Sequence, residues 1–282
     1  MNSHYNSVPS CKKNGEQKYK TLLLNIDSKF RKNLAATSSN DFTFELPYKI
    51  SNVVSMQFKS IELINSVYTI NSKKAQDHFF INNTKIVVPA GNYSHSDIET
   101  KINSILPANF VFVIDLISGK TIIKNSLNQT FTLTFAQTSN KYYDTLGYLL
   151  GFRKIKYENN ASYTSESIFN INGDTYFFLL IDDFLQSNTF DNIVTVVDKN
   201  CLSSNILARI PNIAGTYNIL YEDSSDNINK IRHYCGPVNL SRLRIKLLAS
   251  DGSLLDNNNT DYSFVLEIKQ LIVFEQTKKN RY

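Results

Sequence analysis

Between Arg242 and Leu247 the chain alternates cation and aliphatic, with Arg242, Arg244 and Lys246 set against Leu243, Ile245 and Leu247. Successive side chains of a strand point to opposite faces, so this run gives one apolar face and one charged face. Phe264, Leu266 and Ile268 repeat the pattern against Val265, Glu267 and Lys269. Asp251-Gly252 lies between the two runs and tolerates the positive φ of a tight turn. The spacing predicts two strands joined by that turn and sharing one core, with Glu267 opposite a cation of the first strand.

The same reading extends along the chain. Lys18 to Ile26 is a strand whose consecutive Leu22, Leu23 and Leu24 are expected to be buried on both faces. Asp41 to Leu46 is a short strand stopped by Pro47, and Ile50 to Asn65 a long one. In the long strand the apolar parity shifts from Val54, Met56 and Phe58 to Ile61 and Leu63, which predicts a bulge. Phe79 to Ile81 and Lys85 to Val88 form a hairpin over Asn82-Asn83. Phe110 to Asp115 and Thr121 to Lys124 flank a turn at Ser118-Gly119, and Thr130 to Phe135 follows. Tyr176 to Ile181 is the most apolar strand. Ile193 to Val197, Asn205 to Ile210 and Tyr217 to Tyr221 precede the terminal pair. One segment is helical: Ser96 and Glu99 fit a capping box, Ile98, Ile102, Ile105 and Leu106 follow at helical spacing, and Pro107 ends it. Asp144 to Gly151 reads as a short capped helical turn packed on a sheet.

These strands exceed the eight of one jelly roll and fall short of two complete rolls. The fold class is therefore all-β, an antiparallel sandwich of jelly-roll type with an inserted α+β elaboration. The expected divisions are a polar arm at 1–17, a first part of the roll at 18–90, the insertion at 91–165, the second part at 166–275 and a basic tail at 276–282. At 282 residues the chain is long enough to bury a core without staples. Its 18 Phe and 16 Tyr suit pleated, half-buried surfaces.

The net charge of +5 is mild. Much of it lies in the ends, at Lys12, Lys13, Lys18 and Lys20 and at Lys278, Lys279 and Arg281. These are read as solvated ends or docking arms, with no specific nucleic-acid site. Cys11, Cys201 and Cys235 are odd in number and widely spaced, which gives neither a disulfide framework nor a zinc signature. The polar start carries no signal peptide, and no apolar run approaches the roughly 20 residues of a spanning helix. Synthesis in a reducing cytosolic compartment is expected.

Residue patterns that carry chemistry are few. Gly119-Lys120-Thr121 resembles the end of a phosphate-binding loop, but Ile114 stands where that loop needs its first glycine, and a strand follows instead of a helix. His4, His78, His95 and His233 have no spacing that would face one metal. Asp182-Asp183 are candidate paired carboxylates, set against the reading of a strand-end loop. Cys201 and Cys235 lack the setting of a nucleophile, and Cys235 precedes the turn Gly236-Pro237. Tyr and Phe interleaved with Lys read as core and interface rather than as a single-strand nucleic-acid platform. No catalytic residue, cofactor-binding residue, metal ligand or cofactor is assigned.

Several short blocks resemble a known family. They are Asn25-Ile-Asp-Ser-Lys-Phe-Arg31, Phe42-Thr-Phe-Glu-Leu-Pro47, Ser60-Ile-Glu-Leu-Ile-Asn-Ser66, Leu146-Gly-Tyr-Leu-Leu-Gly-Phe-Arg153, Tyr176-Phe-Phe-Leu-Leu-Ile-Asp-Asp-Phe184, Leu207-Ala-Arg-Ile210 and Tyr234-Cys-Gly-Pro-Val238. Together they are similar to the small jelly-roll capsid proteins of nucleocytoplasmic large DNA viruses and their relatives, the minor capsid or penton-type components. The resemblance implies a non-enzymatic virion protein, built into an icosahedral shell beside the major capsid protein and other capsid proteins after assembly in the host cytoplasm. It implies a homo-oligomer, pentameric if the chain is a penton. The alternative from the residues is a jelly-roll attachment protein that binds host glycans through an aromatic and acidic pocket at loop tips.

Overall fold

Two strands are long enough to belong to two layers at once, and they organise the computed structural model, which describes residues 17–74, 76–136, 142–185, 195–196, 200–201, 205–223 and 230–272. Strand β1 (Tyr19–Asp27) is followed by β2 (Asp41–Ile64), which is 24 residues long. Seven further elements, β3 (His78–Ile81), β4 (Thr84–Val87), β5 (Phe110–Asp115), β6 (Lys120–Asn125), β7 (Phe131–Thr134), β8 (Lys156–Asn160) and β9 (Ser162–Thr164), come next with helices α1 (His95–Ile105) and α2 (Leu146–Leu149). Then come β10 (Tyr176–Asp182), the two-residue β11 (Thr195–Val196) and β12 (Asn200–Cys201), β13 (Ile206–Pro211), β14 (Ile219–Asp223), the 18-residue β15 (Ile231–Leu248) and β16 (Tyr262–Leu271).

The first half of β2, Asp41 to Ile50, pairs with the second half of β15, Leu240 to Lys246. From Val53 onward β2 pairs instead with β16 on one side, and with β14 and the start of β15 on the other. One layer is therefore β1-β16-β2-β14, and the other is β2-β15-β10-β13. With the halves of β2 counted separately along the chain, the layers run first-eighth-third-sixth and second-seventh-fourth-fifth. That order is two interlocked Greek keys, the jelly roll. The change of layer is made where the backbone can turn: Asn52 has φ of 56°, and the β15 ladder loses register between His233 and Leu240 around Gly236-Pro237.

The inner faces of both layers meet in one core. Leu243, Ile245 and Leu247 from one layer, and Phe264, Leu266 and Ile268 from the other, are fully buried in the same cluster. The rings of Phe42 and Tyr262 sit 6.5 Å apart across it. The opposite face of β15 is charged, as the alternation requires. Arg244 grips Asp41 on β2 with two hydrogen bonds of 2.8 and 2.9 Å. Burial pushes the Asp41 carboxyl up, but the Arg244 bonds and the charges of Lys246 and Arg244 outweigh it and hold the group below its ordinary value.

Four expectations about the strands of the roll need correction. β15 and β16 are not a hairpin: the Asp251-Gly252 turn is present, with Gly252 at φ 81°, but β15 lies between β2 and β10 while β16 lies between β1 and β2. Glu267 accordingly reaches Lys59 of β2 at 3.7 Å, not a cation of β15. Pro47 does not stop a strand. It falls where β2 bulges away from β15 and no ladder N–H is required, so the two predicted strands are one. Leu23 is 63% exposed while Leu22 and Leu24 pack on the core, because β1 is an edge with one face outward. The parity shift in β2 is present, with the register slipping between Phe58 and Ser60.

Between β2 and β10 the chain builds a second core of its own. A four-stranded sheet, β4-β3-β7-β8, and a three-stranded sheet, β5-β6-β9, enclose Phe79, Phe112, Ile123, Leu133, Phe135, Leu146 and Phe152. Ile70 and Ile171, outside the expected 91–165 segment, also contribute. The β3–β4 turn places Asn82 and Asn83 at φ 47° and 69°. Helix α1 buries Ile98 and Ile102 as the spacing predicts. Its capping box is Ser94 with Asp97, however, not Ser96 with Glu99. Asp97 answers the Ser94 N–H, and Glu99, one step further round, accepts from the Ile114 N–H at 3.3 Å. The Asn103 side chain completes the attachment of α1 to β5, accepting from Phe112 N–H at 2.9 Å and donating to its carbonyl at 2.8 Å.

After α2 the chain reverses at Gly151, which has φ of 90°. A Cβ there would lie 2.4 Å from the Ser167 carbonyl oxygen, which is backbone and cannot step aside. Gly151→Ala is expected to lower stability by about 2 kcal/mol or more, read as a lower urea midpoint in chemical denaturation. An unchanged midpoint would show that this turn relaxes freely.

Candidate functional site

The residues singled out in the sequence fall into separate structural roles. Lys120 opens β6, and Thr121 is buried, its hydroxyl donating to Leu150 O at 2.6 Å and its N–H to Ser165 Oγ at 3.0 Å. The Gly119-Lys-Thr run is thus a pin between strand and turn. His78 Nδ1 lies 2.7 Å from Asp77, and the His95 ring packs 5.0 Å from Phe169. His233 lies on β15 opposite Ser55. Among the described residues no three His, Cys, Asp or Glu side chains stand together as a metal site. Cys235 is a free, exposed thiol on β15. Cys201 lies in β12, and its side chain, with Cys11, His4, the arm at 1–16 and the tail at 273–282, falls outside the described residues.

Asp182 and Asp183 follow one another at the end of β10 and so point to opposite sides. Asp182 accepts from the Phe184 N–H at 2.9 Å. Asp183 is buried, and its Oδ2 accepts from Arg232 Nη1 at 2.9 Å and from the Tyr234 hydroxyl at 2.8 Å. Arg232 also donates to the carbonyls of Ile181 and Asn205. Burial, with the Asp183 charge beside it, pushes the Tyr234 phenol far up, so it stays a neutral donor. Two residues earlier the Lys230 ammonium is buried against Glu222 and lies 5.4 Å from the Phe58 ring. Asp183, Lys230 and Arg232 are thus buried charges answered by internal partners. Sequence reading missed them because their alternation is cut off from Leu240 onward by the bulge at Gly236-Pro237. The signal was the period-two run Lys230, Arg232, Tyr234 itself.

The structure brings together a site that no motif marked. A cleft of about 420 Å³ lies where the roll meets the elaboration. Its walls come from the chain leaving β2 (Tyr68, Asn71, Lys74), from α2 and its surroundings (Tyr143, Tyr148, Arg153), and from the β15–β16 loop (Asp251, Asp256). Lys74 stands 3.4 Å from Asp251 and 3.9 Å from Asp174, and Lys73 pairs with Asp256 at 2.7 Å. Burial pushes the Asp251 carboxyl up, but bonds from Ser253 and the neighbouring Lys74 overcome this and keep it below its ordinary value. The Arg153 guanidinium lies 4.3 Å from the Tyr148 ring centroid and donates to Tyr148 O at 3.0 Å. Aromatic faces beside fixed carboxylates are what sugar rings and their hydroxyls pack on.

The second surface is the rim of the sheet. In the layer β1-β16-β2-β14 the outer strands pair on one side only among the described residues. They carry exposed apolar groups, Leu23 on β1 and Ile219 and Tyr221 on β14. No helix of the described residues is long and apolar enough to cross a membrane.

The ion pair at the end of the roll has a measurable signature. Arg232→Met alone is expected to cost about 3–5 kcal/mol, because it strands the buried Asp183 charge. Arg232→Met with Asp183→Leu is expected to recover most of that loss. Thermal denaturation of the single and double variants decides it, and equal losses would mean that the two charges do not depend on one another.

No family model matches the chain, and no curated protein matches it. Among solved structures it is similar to the mavirus penton protein at 11% identity, covering 91% of this chain and 100% of that one with a TM-score of 0.47. It is also similar to a chain of the Sputnik virophage at 10% identity, covering 88% of this chain and 97% of that one with a TM-score of 0.46.

Proposed function

We propose that this chain is a structural protein of a viral capsid, a minor capsid or penton-type component set beside a major capsid protein in an icosahedral shell, and that it catalyses no reaction. The observation that carries this reading is the jelly roll itself: a rigid slab whose inner charges are spent on internal pairs while its rims, among the described residues, present strands paired on one side only and exposed apolar side chains. The sequence blocks quoted above support it. In this reading the segment between the third and fourth strands of the roll is an added surface module. The polar arm at 1–17 and the basic tail at 276–282 are docking arms. The chain resides in the virion and is assembled in the host cytoplasm. Mass spectrometry of purified particles is expected to find it there, and about five copies per vertex would select the penton position. Its absence from intact particles would reject the reading.

The cleft favours a second reading, attachment to a host glycan. Tyr68, Tyr143 and Tyr148 with Asp251 and Asp256 form an aromatic and acidic pocket beside the β15–β16 loop. If it is used, the purified protein binds a defined oligosaccharide on a glycan array, and Tyr148→Ala weakens that binding about tenfold or more. No binding on the array, or binding indifferent to Tyr148, removes this reading.

A further inference from the structure

The β5–β6 hairpin ends in a turn whose chemistry runs against its position. Turns between strands favour Gly, Pro, Asn, Asp and Ser. Here the four residues between the paired Asp115 and Lys120 are Leu116, Ile117, Ser118 and Gly119. Leu116 is 78% exposed and Ile117 is 100% exposed. Ile168, also exposed, joins them from the chain after β9, and its Cγ2 lies 3.2 Å from where a Cβ on Gly119 would stand. Single exposed aliphatics are ordinary on a surface, but three around one turn are not.

The turn bonds its polar groups internally. The Gly119 N–H donates to Asp115 O at 2.8 Å, and Gly119 O accepts from the Phe169 N–H at 2.7 Å. The Ile117 N–H donates to one oxygen of the Asp115 carboxylate at 3.0 Å, and the Ser118 hydroxyl donates to the other at 2.6 Å. The Lys120 N–H donates to Ser118 Oγ at 3.3 Å. The tip is thus apolar outside and hydrogen-bonded within. One anion and one cation, Asp115 and Lys120, stand level behind it as register partners.

The size of the patch decides what it can meet. Three aliphatic side chains cover less than the roughly 800 Å² per partner of a stable protein–protein contact. A lipid surface sets no such minimum, because binding there scales with the apolar area inserted. It does require inserted backbone to satisfy its own hydrogen bonds, as this turn does. Two residues of chain beyond the Asp115–Lys120 pair rise at most about 7 Å. That is within the roughly 5–10 Å to which interfacial elements sink. The net charge of +5 draws the chain toward an anionic surface.

We propose that the Leu116-Ile117 turn, with Ile168 beside it, is a membrane-contact tip that dips into the acyl boundary of an anionic bilayer and leaves Asp115 and Lys120 among the headgroups. The contact does not depend on a capsid role, and the purified chain with vesicles suffices to test it.

The natural chain has no tryptophan, so Ile117→Trp in the full chain places a single reporter on the tip. On adding mixed phosphatidylcholine–phosphatidylserine vesicles, its emission is expected to shift to the blue and to escape quenching by acrylamide. Ile117→Asp, at a fully exposed position, is expected to keep the melting temperature of the natural chain while the fraction floating with the vesicles falls about tenfold. A natural chain that does not float, or a tryptophan emission unchanged by vesicles, overturns the proposal. So does Ile117→Asp floating like the natural chain, which would assign the binding to another surface. Emission already blue without lipid, and shifting to the red on dilution, would set the tip against another copy of the chain and overturn it as well.

Discussion

The structure depends on β2 and β15 giving one stretch of side chains to each of two layers. A sandwich needs both inner faces to be apolar at the same depth, and two strands that cross between layers tie those faces together covalently. Phe42 and Phe58 belong to one strand yet line opposite walls of the same core. The condition for this is a backbone that changes direction and resets its alternation so that apolar side chains stay inside, as Ile50 and then Val53 do across Asn52. Asn52 in the left-handed region, the bulged stretch around Pro47 and the Gly236-Pro237 irregularity meet it, each where no ladder bond has to be made.

The elaboration follows a different logic. It does not extend the roll's core but closes one of its own, with aromatic side chains of two small sheets packed around Gly147, where a Cβ would collide with the Phe135 ring. Phe135 and Phe152, 4.9 Å apart, stand where that glycine lets them approach. Each unit buries its own apolar surface, and at the join between them Lys74 stands between Asp174 and Asp251 beside the cleft.

Charge is handled in two ways. On the outer face of β15 the cations are answered by a neighbouring strand, as Arg244 is by Asp41, in contact with water and at modest benefit, on the order of 1 kcal/mol. At the end of the roll Arg232 and Asp183 are out of water and held by several hydrogen bonds at once. Such a pair is weak evidence for net stability, but neither partner can be lost alone.

Much of the secondary structure was legible in the sequence. Period-two alternation marked β15 and β16, the Asn82-Asn83 turn marked the β3–β4 hairpin, and the spacing of Ile98 and Ile102 marked α1, because each signal is local. Partnership was not legible. That β15 pairs with β2 and β10 instead of β16, and that Leu23 faces outward, follows from strand order, which alternation does not encode. The cap of α1 was misplaced by two residues because Ser94 and Ser96 both precede a carboxylate three residues on. The cleft was invisible for the same reason as the partnership. Its side chains come from distant parts of the chain, and only the folding of the chain sets them side by side.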